Sequence, residues 1–420
     1  MSLLHGYVWW RYVRSTTRPG RVRRRLTVLT VVLALLPGSA VLFGDELPQP
    51  AGTLLAWVGF TWLGLLFYLF LTSLLTEPVR VIARLRRRPD GRTEPAESGP
   101  SGARRVPRSD GSAAPRDGGT APGRDAIRQD RHVTARRLFL ARSLAVGAGA
   151  LAVGTAGTGA VIANSAPVVR RVPIRIPGLD PGLAGLRIVT FSDGHLSATY
   201  GGRRFERLVE TVNAQRPDVV AIVGDLVDGD VRELREDAAP LADLVSEQGA
   251  YFVTGNHEYF VDTEAWMRHL PTLGVDVLRN ERVVVRGRGD ATLDLAGIDD
   301  RTAAASGLPG HGADLDAALD GRDDDVPLIL LAHQPVMVGQ ARAAGVDLQL
   351  SGHTHGGQLW PFDYAIRLDQ PVVEGWSQQG PTQLYVTAGA GYWGPPMRVG
   401  ARPEVTVIEL QPGEPAAPPR

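Results

Sequence analysis

Five short stretches, each placed at the end of an apolar run, carry oxygen and imidazole side chains. They are Asp193–Gly194–His195, Gly224–Asp225, Gly255–Asn256–His257–Glu258, Ala332–His333 and Gly352–His353–Thr354–His355. The chain has nine histidines, and five of them fall in these stretches. Together they offer ligands for two metal ions and leave one histidine over. A chain that uses them must bring the ends of several apolar runs to one place.

Those runs read as strands. Leu186–Phe191, Val219–Val223 and Tyr251–Thr254 are short and apolar, while Phe205, Leu208, Val209 and Val212 recur at helical spacing. Val275–Leu278, Arg282–Val285, Leu293–Ala296, Leu328–Leu331, Val346–Leu350, Leu384–Thr387 and Glu404–Leu410 follow. Strands alternate with helices early and crowd together later. The pattern predicts an α/β fold of two mixed sheets packed face to face with helices outside, a four-layer α/β/β/α sandwich. In open α/β sheets ligands gather at the carboxyl ends of strands, where each of the five stretches lies.

The first 163 residues have a different character. Leu26–Phe43 and Gly52–Thr76 carry no charge and are long enough for membrane-spanning helices, and Trp57, Trp62 and Tyr68 suit membrane surroundings. Arginines precede the first run (Arg11 to Arg25) and follow the second (Arg80 to Arg88), while an acidic turn, Asp45–Glu46, lies between. The positive-inside bias puts both arginine clusters in the cytoplasm and the turn outside. The stretch 77–135, above all Glu94–Arg131, is rich in Gly, Pro, Ser and Arg and reads as a disordered linker. It lacks the interleaved aromatics of a nucleic-acid-binding arm.

Arg136–Arg137–Leu138–Phe139–Leu140 and the apolar run after it resemble a twin-arginine export signal. Ala135 and Ala141 depart from that pattern, and the motif is internal. Ala163–Asn164–Ser165 has the small-x-small form of a cleavage site. The alternative is a third spanning helix, and both readings carry the downstream domain across the membrane. The expected organisation is a membrane region over 1–76, a linker over 77–135, a third helix or signal over 136–165, and a catalytic domain over 166–413.

The chain has no cysteine, which excludes disulfides and thiolate metal sites. Its formal net charge of +0 conceals an asymmetry, about +13 before Asn164 and about −13 after it. The acidic half does not suit a polyanion, so no nucleic-acid partner is expected. Carboxylate with imidazole suits divalent first-row metals such as manganese, zinc or iron. Two aspartates, Asp193 and Asp225, suggest a shared site in which one carboxylate bridges two ions; such pairs lie about 3.5–4 Å apart and clamp a phosphoryl oxygen.

In order and local wording, the stretches SDGHLS, GDLVDG, GNHEY, LAHQP, SGHTHGGQ and the late GAGYWGPPMR resemble the calcineurin-like metallophosphoesterase superfamily, in particular its membrane-associated bacterial branch. The resemblance covers about Leu186 to Leu410. It implies that Asp193, His195 and His355 bind one metal and that Asn256, His333 and His353 bind the other, with Asp225 bridging. His257 would face the leaving-group oxygen as general acid or transition-state stabiliser. Gly194 departs from the pattern, where a larger residue is usual, but supplies no ligand atom.

The expected activity is that of a dinuclear phosphoesterase, a phosphodiesterase in the first instance, using a metal-bridging hydroxide at the outer face of the cell membrane. Lipid head groups and cell-wall phosphodiesters are the substrate candidates. The competing expectation is a non-catalytic metal-binding membrane scaffold that keeps the fold. Asp228 and Glu258 read as carboxylates that orient neighbours. Arg398 reads either as a phosphate ligand or, with Tyr392 and Trp393, as part of a loop packed on the core. His5, His132, His269 and His311 match no motif and are expected at the surface or in loops.

Overall fold

The computed structural model describes residues 1–44, 47–48, 50–85 and 123–413. The chain divides into two compact units, Met1–Val31 with Leu66–Ala152, and Val32–Leu65 with Val153–Arg420.

Alternation along the strands of the second unit decides its layers. The strands are β1 Val168–Pro177, β2 Arg187–Phe191, β3 Val219–Val223, β4 Ala250–Val253, β5 Val275–Val277, β6 Glu281–Arg286, β7 Thr292–Gly297, β8 Leu328–Leu331, β9 Leu348–Ser351, β10 Gly375–Gln379, β11 Thr382–Val386 and β12 Glu404–Gly413. In β3, Val220 and Ile222 join Phe205, Leu208 and Val212 of the helix Arg203–Asn213 in one apolar cluster. Val219, Ala221 and Val223 point the other way and pack with Leu293, Leu295, Ile329 and Leu331 of the opposite sheet. In β8, Leu328 and Leu330 face outward onto Leu315, Ala318 and Ala341. Period-2 burial on both faces of both sheets is what a four-layer α/β/β/α sandwich requires.

One sheet runs β1-β12-β2-β3-β4-β5 and the other β10-β11-β9-β8-β7-β6. β2, β3, β4 and β5 are mutually parallel, as are β7, β8, β9 and β11. The parallel cores put the carboxyl ends of β2, β3 and β4 at one edge and those of β8 and β9 at the facing edge. β12 pairs antiparallel with β2 and parallel with β1.

Sequence periodicity misses two strands. β1 exposes most of its residues and carries Arg170, Arg171, Pro173 and Arg175, so its apolar alternation is confined to Val172, Ile174 and Ile176. β10, Gly-Trp-Ser-Gln-Gln, is an edge strand of mostly polar residues paired on β11.

Among the described residues, three helices are long and apolar enough to cross a membrane: Arg21–Phe43, Ala51–Ala83 and Ala135–Ala163. The third belongs to a continuous helix, Gly123–Ala163. The expected linker over 77–135 therefore needs correction at both ends: Glu77–Leu85 and the residues from Gly123 onward are helical, and 86–122 lie outside the described residues. In the first unit, Glu77 accepts hydrogen bonds from Tyr7 Oη at 2.8 Å and Arg11 Nη2 at 2.5 Å. His5 is buried there rather than at the surface.

Candidate metal centre

Each ligand stretch lies just past the end of a parallel strand: Asp193 and His195 after β2, Asp225 after β3, Asn256 and His257 after β4, His333 after β8, and His353 and His355 after β9. The backbone must reverse abruptly there to aim side chains into the gap between the sheets. Eight non-glycine residues among those described have positive φ, and five are candidate ligands: Asp193 (53°), His195 (45°), Asp225 (51°), His353 (71°) and His355 (52°). Left-handed backbone costs a side-chain-bearing residue energy, and such residues concentrate where function holds them. Gly224, with φ 76°, makes the turn before Asp225; a Cβ there would lie 2.6 Å from His333 Nδ1.

Ligand atoms of Asp193, His195 and His355 lie within 4.8 Å of one another, as do those of Asp225, His333 and His353. Asp225 also groups with His195 and His257. The structure thus brings Asp193, His195, Asp225, His257, His333, His353 and His355 to one rim. His355 Nε2 is 3.3 Å from Asp193 Oδ1 and 2.9 Å from His195 Nε2. His333 donates Nδ1–H to Val223 O at 2.8 Å, which turns Nε2 toward Asp225 Oδ2, 3.0 Å away.

Asn256 Oδ1 is buried and makes no hydrogen bond, and His333 Nε2 has the Asp225 carboxylate beside it. A buried polar atom without a partner is costly and calls for an explanation, and an ion is one. Oxygen and imidazole donors that converge in this way fit divalent cations.

Burial and charge divide the protonation states. Burial would raise the Asp225 carboxyl, but His333 and His257 outweigh it and hold it well below the usual carboxylate range. Asp193 is raised, chiefly by burial. Burial and the neighbouring His333 push the His353 ring down to about 4, and burial with His195 and Arg398 pushes His355 well below its ordinary value. Those two rings are neutral at pH 7, as metal ligation demands. Burial opposes charge on His257 as well, yet Asp225 and Asp228 outweigh it and raise the ring to about 9.

Asp228 touches both sets of groups. Its Oδ1 accepts from His195 Nδ1 at 2.7 Å and from His257 Nδ1 at 2.8 Å. These contacts fix both ring orientations and hold the Asp228 carboxyl down at about 2, against the upward pull of burial. Carboxylates that orient ligand imidazoles are typically worth about 10–100-fold in metal affinity or activity. Asp228→Asn should therefore lower metal affinity by about tenfold or more; isothermal titration of the metal-stripped protein measures it.

Glu258 is fully buried and accepts from the backbone amides of Asp225 (3.0 Å), Leu226 (2.8 Å), Val227 (3.3 Å) and Gly255 (2.6 Å). It ties the loops after β3 and β4 together. Burial, then Asp225, raises its carboxyl to about 7.

Arg398 does not face a substrate. It is fully buried and donates to the carbonyls of Gly391, Ala388, His355 and Gly389, and its Nη2 lies 3.2 Å from His355 Nδ1. The phosphate-ligand reading is overturned: the guanidinium spends its donors on backbone and braces His355. Tyr392 is buried and donates to Thr199 O at 2.7 Å, whereas Trp393 is exposed and its ring lies 5.5 Å from that of His257. His311 lies in a loop, as expected, but is buried there, bridging Tyr259 and Glu264. The side chain of His132 lies outside the described residues.

Two neighbours of the centre escaped the sequence reading. Asp300 is buried and accepts from the amide of Gln334, the residue after His333, at 3.0 Å; an acidic pair closing a strand was its signal. Phe260, 5.2 Å from the His257 ring, is 72% exposed, and nothing in one sequence marks an aromatic as exposed.

The calcineurin-like phosphoesterase family profile matches residues 186–357. A transmembrane protein with metallophosphoesterase domain from Danio rerio is 44% identical over 260 residues, which cover 60% of this chain and 59% of that one. The chain thus spans about 59% of the length of that relative. A metallophosphoesterase of Aquifex aeolicus is 34% identical over 54% of this chain and 85% of its own, and one of Bacillus subtilis is 32% identical over 55% and 80%. Vertebrate and bacterial proteins both match, so the likeness reaches beyond a bacterial branch. Matched by the family profile and by relatives that it covers over most of their length, this chain belongs to the calcineurin-like phosphoesterase family.

Proposed function

We propose that the chain is a dinuclear metal-dependent phosphoesterase, and specifically a phosphodiesterase, working at the outer face of the cell membrane. The observation that carries this reading is the convergence of three overlapping groups, Asp193–His195–His355, His195–Asp225–His257 and Asp225–His333–His353, beside the buried Asn256 Oδ1, which makes no hydrogen bond. Asp193, His195 and His355 would hold one ion, Asn256, His333 and His353 the other, and Asp225 would touch both. Bound there, two divalent cations supply Lewis acidity and a nucleophile at neutral pH.

The remaining work falls to the protein. His257 ligates neither triad in this assignment. Its Nδ1 is engaged by Asp228, and its Nε2 lies 4.0 Å from Asp225 Oδ2. Asp225 and Asp228 favour the protonated ring, and a proton held at Nε2 would be available to the departing oxygen of the ester. Asp228 keeps the donor aimed. The buried Glu258 and Arg398 hold the ligand loops against displacement.

Orientation rests on charge. Arginines flank the cytoplasmic ends of the first two spans, and Arg136 and Arg137 open the third. The third span then emerges outside at Ala163, which is itself part of the apolar core of the catalytic unit. Lipid head groups and cell-wall phosphodiesters are both within reach of such a site.

Elemental analysis of the purified full chain is expected to find two equivalents of manganese, zinc or iron. Chelation should abolish hydrolysis of bis(p-nitrophenyl) phosphate, and the metal should restore it. One equivalent per chain would defeat the dinuclear assignment. Two equivalents with no turnover of mono-, di- or pyrophosphate esters would favour the scaffold reading.

A further inference from the structure

The rim of the centre is apolar on the side where catalysis ends. His257 lies between Phe260 and Trp393, its ring 5.2 Å from one and 5.5 Å from the other, both in edge contact. Both aromatics are largely exposed, at 72% and 58%. Two exposed rings on either side of His257 give this part of the rim an apolar face that an alkyl chain would cover.

The segment that carries Trp393 continues directly onto the membrane helices. Gln358 accepts from Trp393 N at 3.0 Å and donates to Trp393 O at 2.8 Å. Four residues later Met397 reaches the span Ala51–Leu75: a Cβ on Gly64 would lie 2.6 Å from Met397 Cε and 3.0 Å from Pro395 Cβ. Glycine is what lets the loop approach so closely. Gly64 lies about 20 Å along that helix from its first residue, inside its uncharged stretch. Arg398 N then donates to Gly159 O of the third span at 2.9 Å.

The same helix walls a cavity on another side of the centre. About 640 Å³ in volume, it runs from Asp228 past Tyr200 and Arg204 to Thr53 and Trp57. The Arg204 guanidinium lies over the Trp57 ring at 5.4 Å. Groups from a membrane span thus line space that begins at the carboxylate holding His195 and His257.

We infer that the site takes a membrane-resident phosphodiester amphiphile, whose alkyl portion lies across Phe260 and Trp393 while its phosphorus faces the centre. The proposal rests on the phosphoesterase reading above and selects the lipid from the two substrate sources named there. Water adds at phosphorus, one P–O ester bond breaks, and one proton of that water ends on the departing oxygen, leaving a phosphate monoester.

The test uses full-length, metal-loaded protein in phosphatidylcholine vesicles and two probes with one leaving group, p-nitrophenyl methyl phosphate and p-nitrophenyl hexadecyl phosphate. In the native protein kcat/KM for the hexadecyl ester should exceed that for the methyl ester by about a hundredfold, which burial of three or four methylenes supplies. The double variant Phe260→Ala/Trp393→Ala should cut that ratio by about tenfold or more, and Phe260→Leu/Trp393→Phe should restore most of it. Because the ratio is taken within one preparation, loss of folded protein cancels. A native ratio near one, or a ratio the alanine pair leaves intact, overturns the proposal. Failure to hydrolyse either ester with both metals bound defeats the phosphoesterase reading itself, and this proposal with it.

Discussion

Asp225→Asn lowers kcat for bis(p-nitrophenyl) phosphate by about a thousandfold or more and leaves the fold standing, because this one carboxylate groups with His195 and His257 on one side and with His333 and His353 on the other. The substitution keeps the shape and one acceptor oxygen but removes the charge. His257 N still finds an acceptor at Oδ1, where it now donates at 2.8 Å. The lost charge also releases His333 and His257, whose raised pKa values depend on it. The variant should therefore retain near-native melting while metal content falls below two equivalents. His257→Ala should differ: metal content stays at two while turnover falls. Native turnover in either variant would remove the assignment of roles.

Glu258→Ala carries the largest expected stability loss. Four backbone amides, those of Asp225, Leu226, Val227 and Gly255, would lose their acceptor inside the protein. Each unsatisfied buried group costs about 1–3 kcal/mol, so even with partial relaxation a loss on the order of 4 kcal/mol is expected. For a unit of this size that lowers Tm by about 10 °C. Scanning calorimetry of the metal-free protein isolates the effect from metal affinity. Glu258→Gln, which keeps one acceptor oxygen, should lose about half as much. A melting temperature unmoved by the alanine variant would show that the carboxylate does not hold the two loops.

Legibility of the fold followed burial. β3 and β8 were read at their observed limits because both faces are covered and every residue is apolar. β1 escaped because only Val172, Ile174 and Ile176 face the core, among arginines and prolines, and its pairing partner β12 lies more than two hundred residues away. The ligands were legible because each motif is local and strand ends are where such motifs belong. Arg398 was not. A bidentate cation in a glycine-rich loop looks the same in sequence whether it meets phosphate or backbone carbonyls, and only tertiary packing decides. The duties of Asp228 and Glu258 were anticipated in kind, but their partners lie about thirty residues away across separate strand ends.

The third span ends at Ala163, and β1 begins at Val168. Ala163 is already embedded among the core side chains, and β1 zips at once along β12. Fewer than five free residues remain, a leash of at most about 17 Å even at full stretch. An enzyme on so short a leash cannot patrol the space above its membrane. On the amphiphile reading proposed above, its customers are delivered by lateral drift in the plane of the bilayer, and its throughput follows how crowded that plane is.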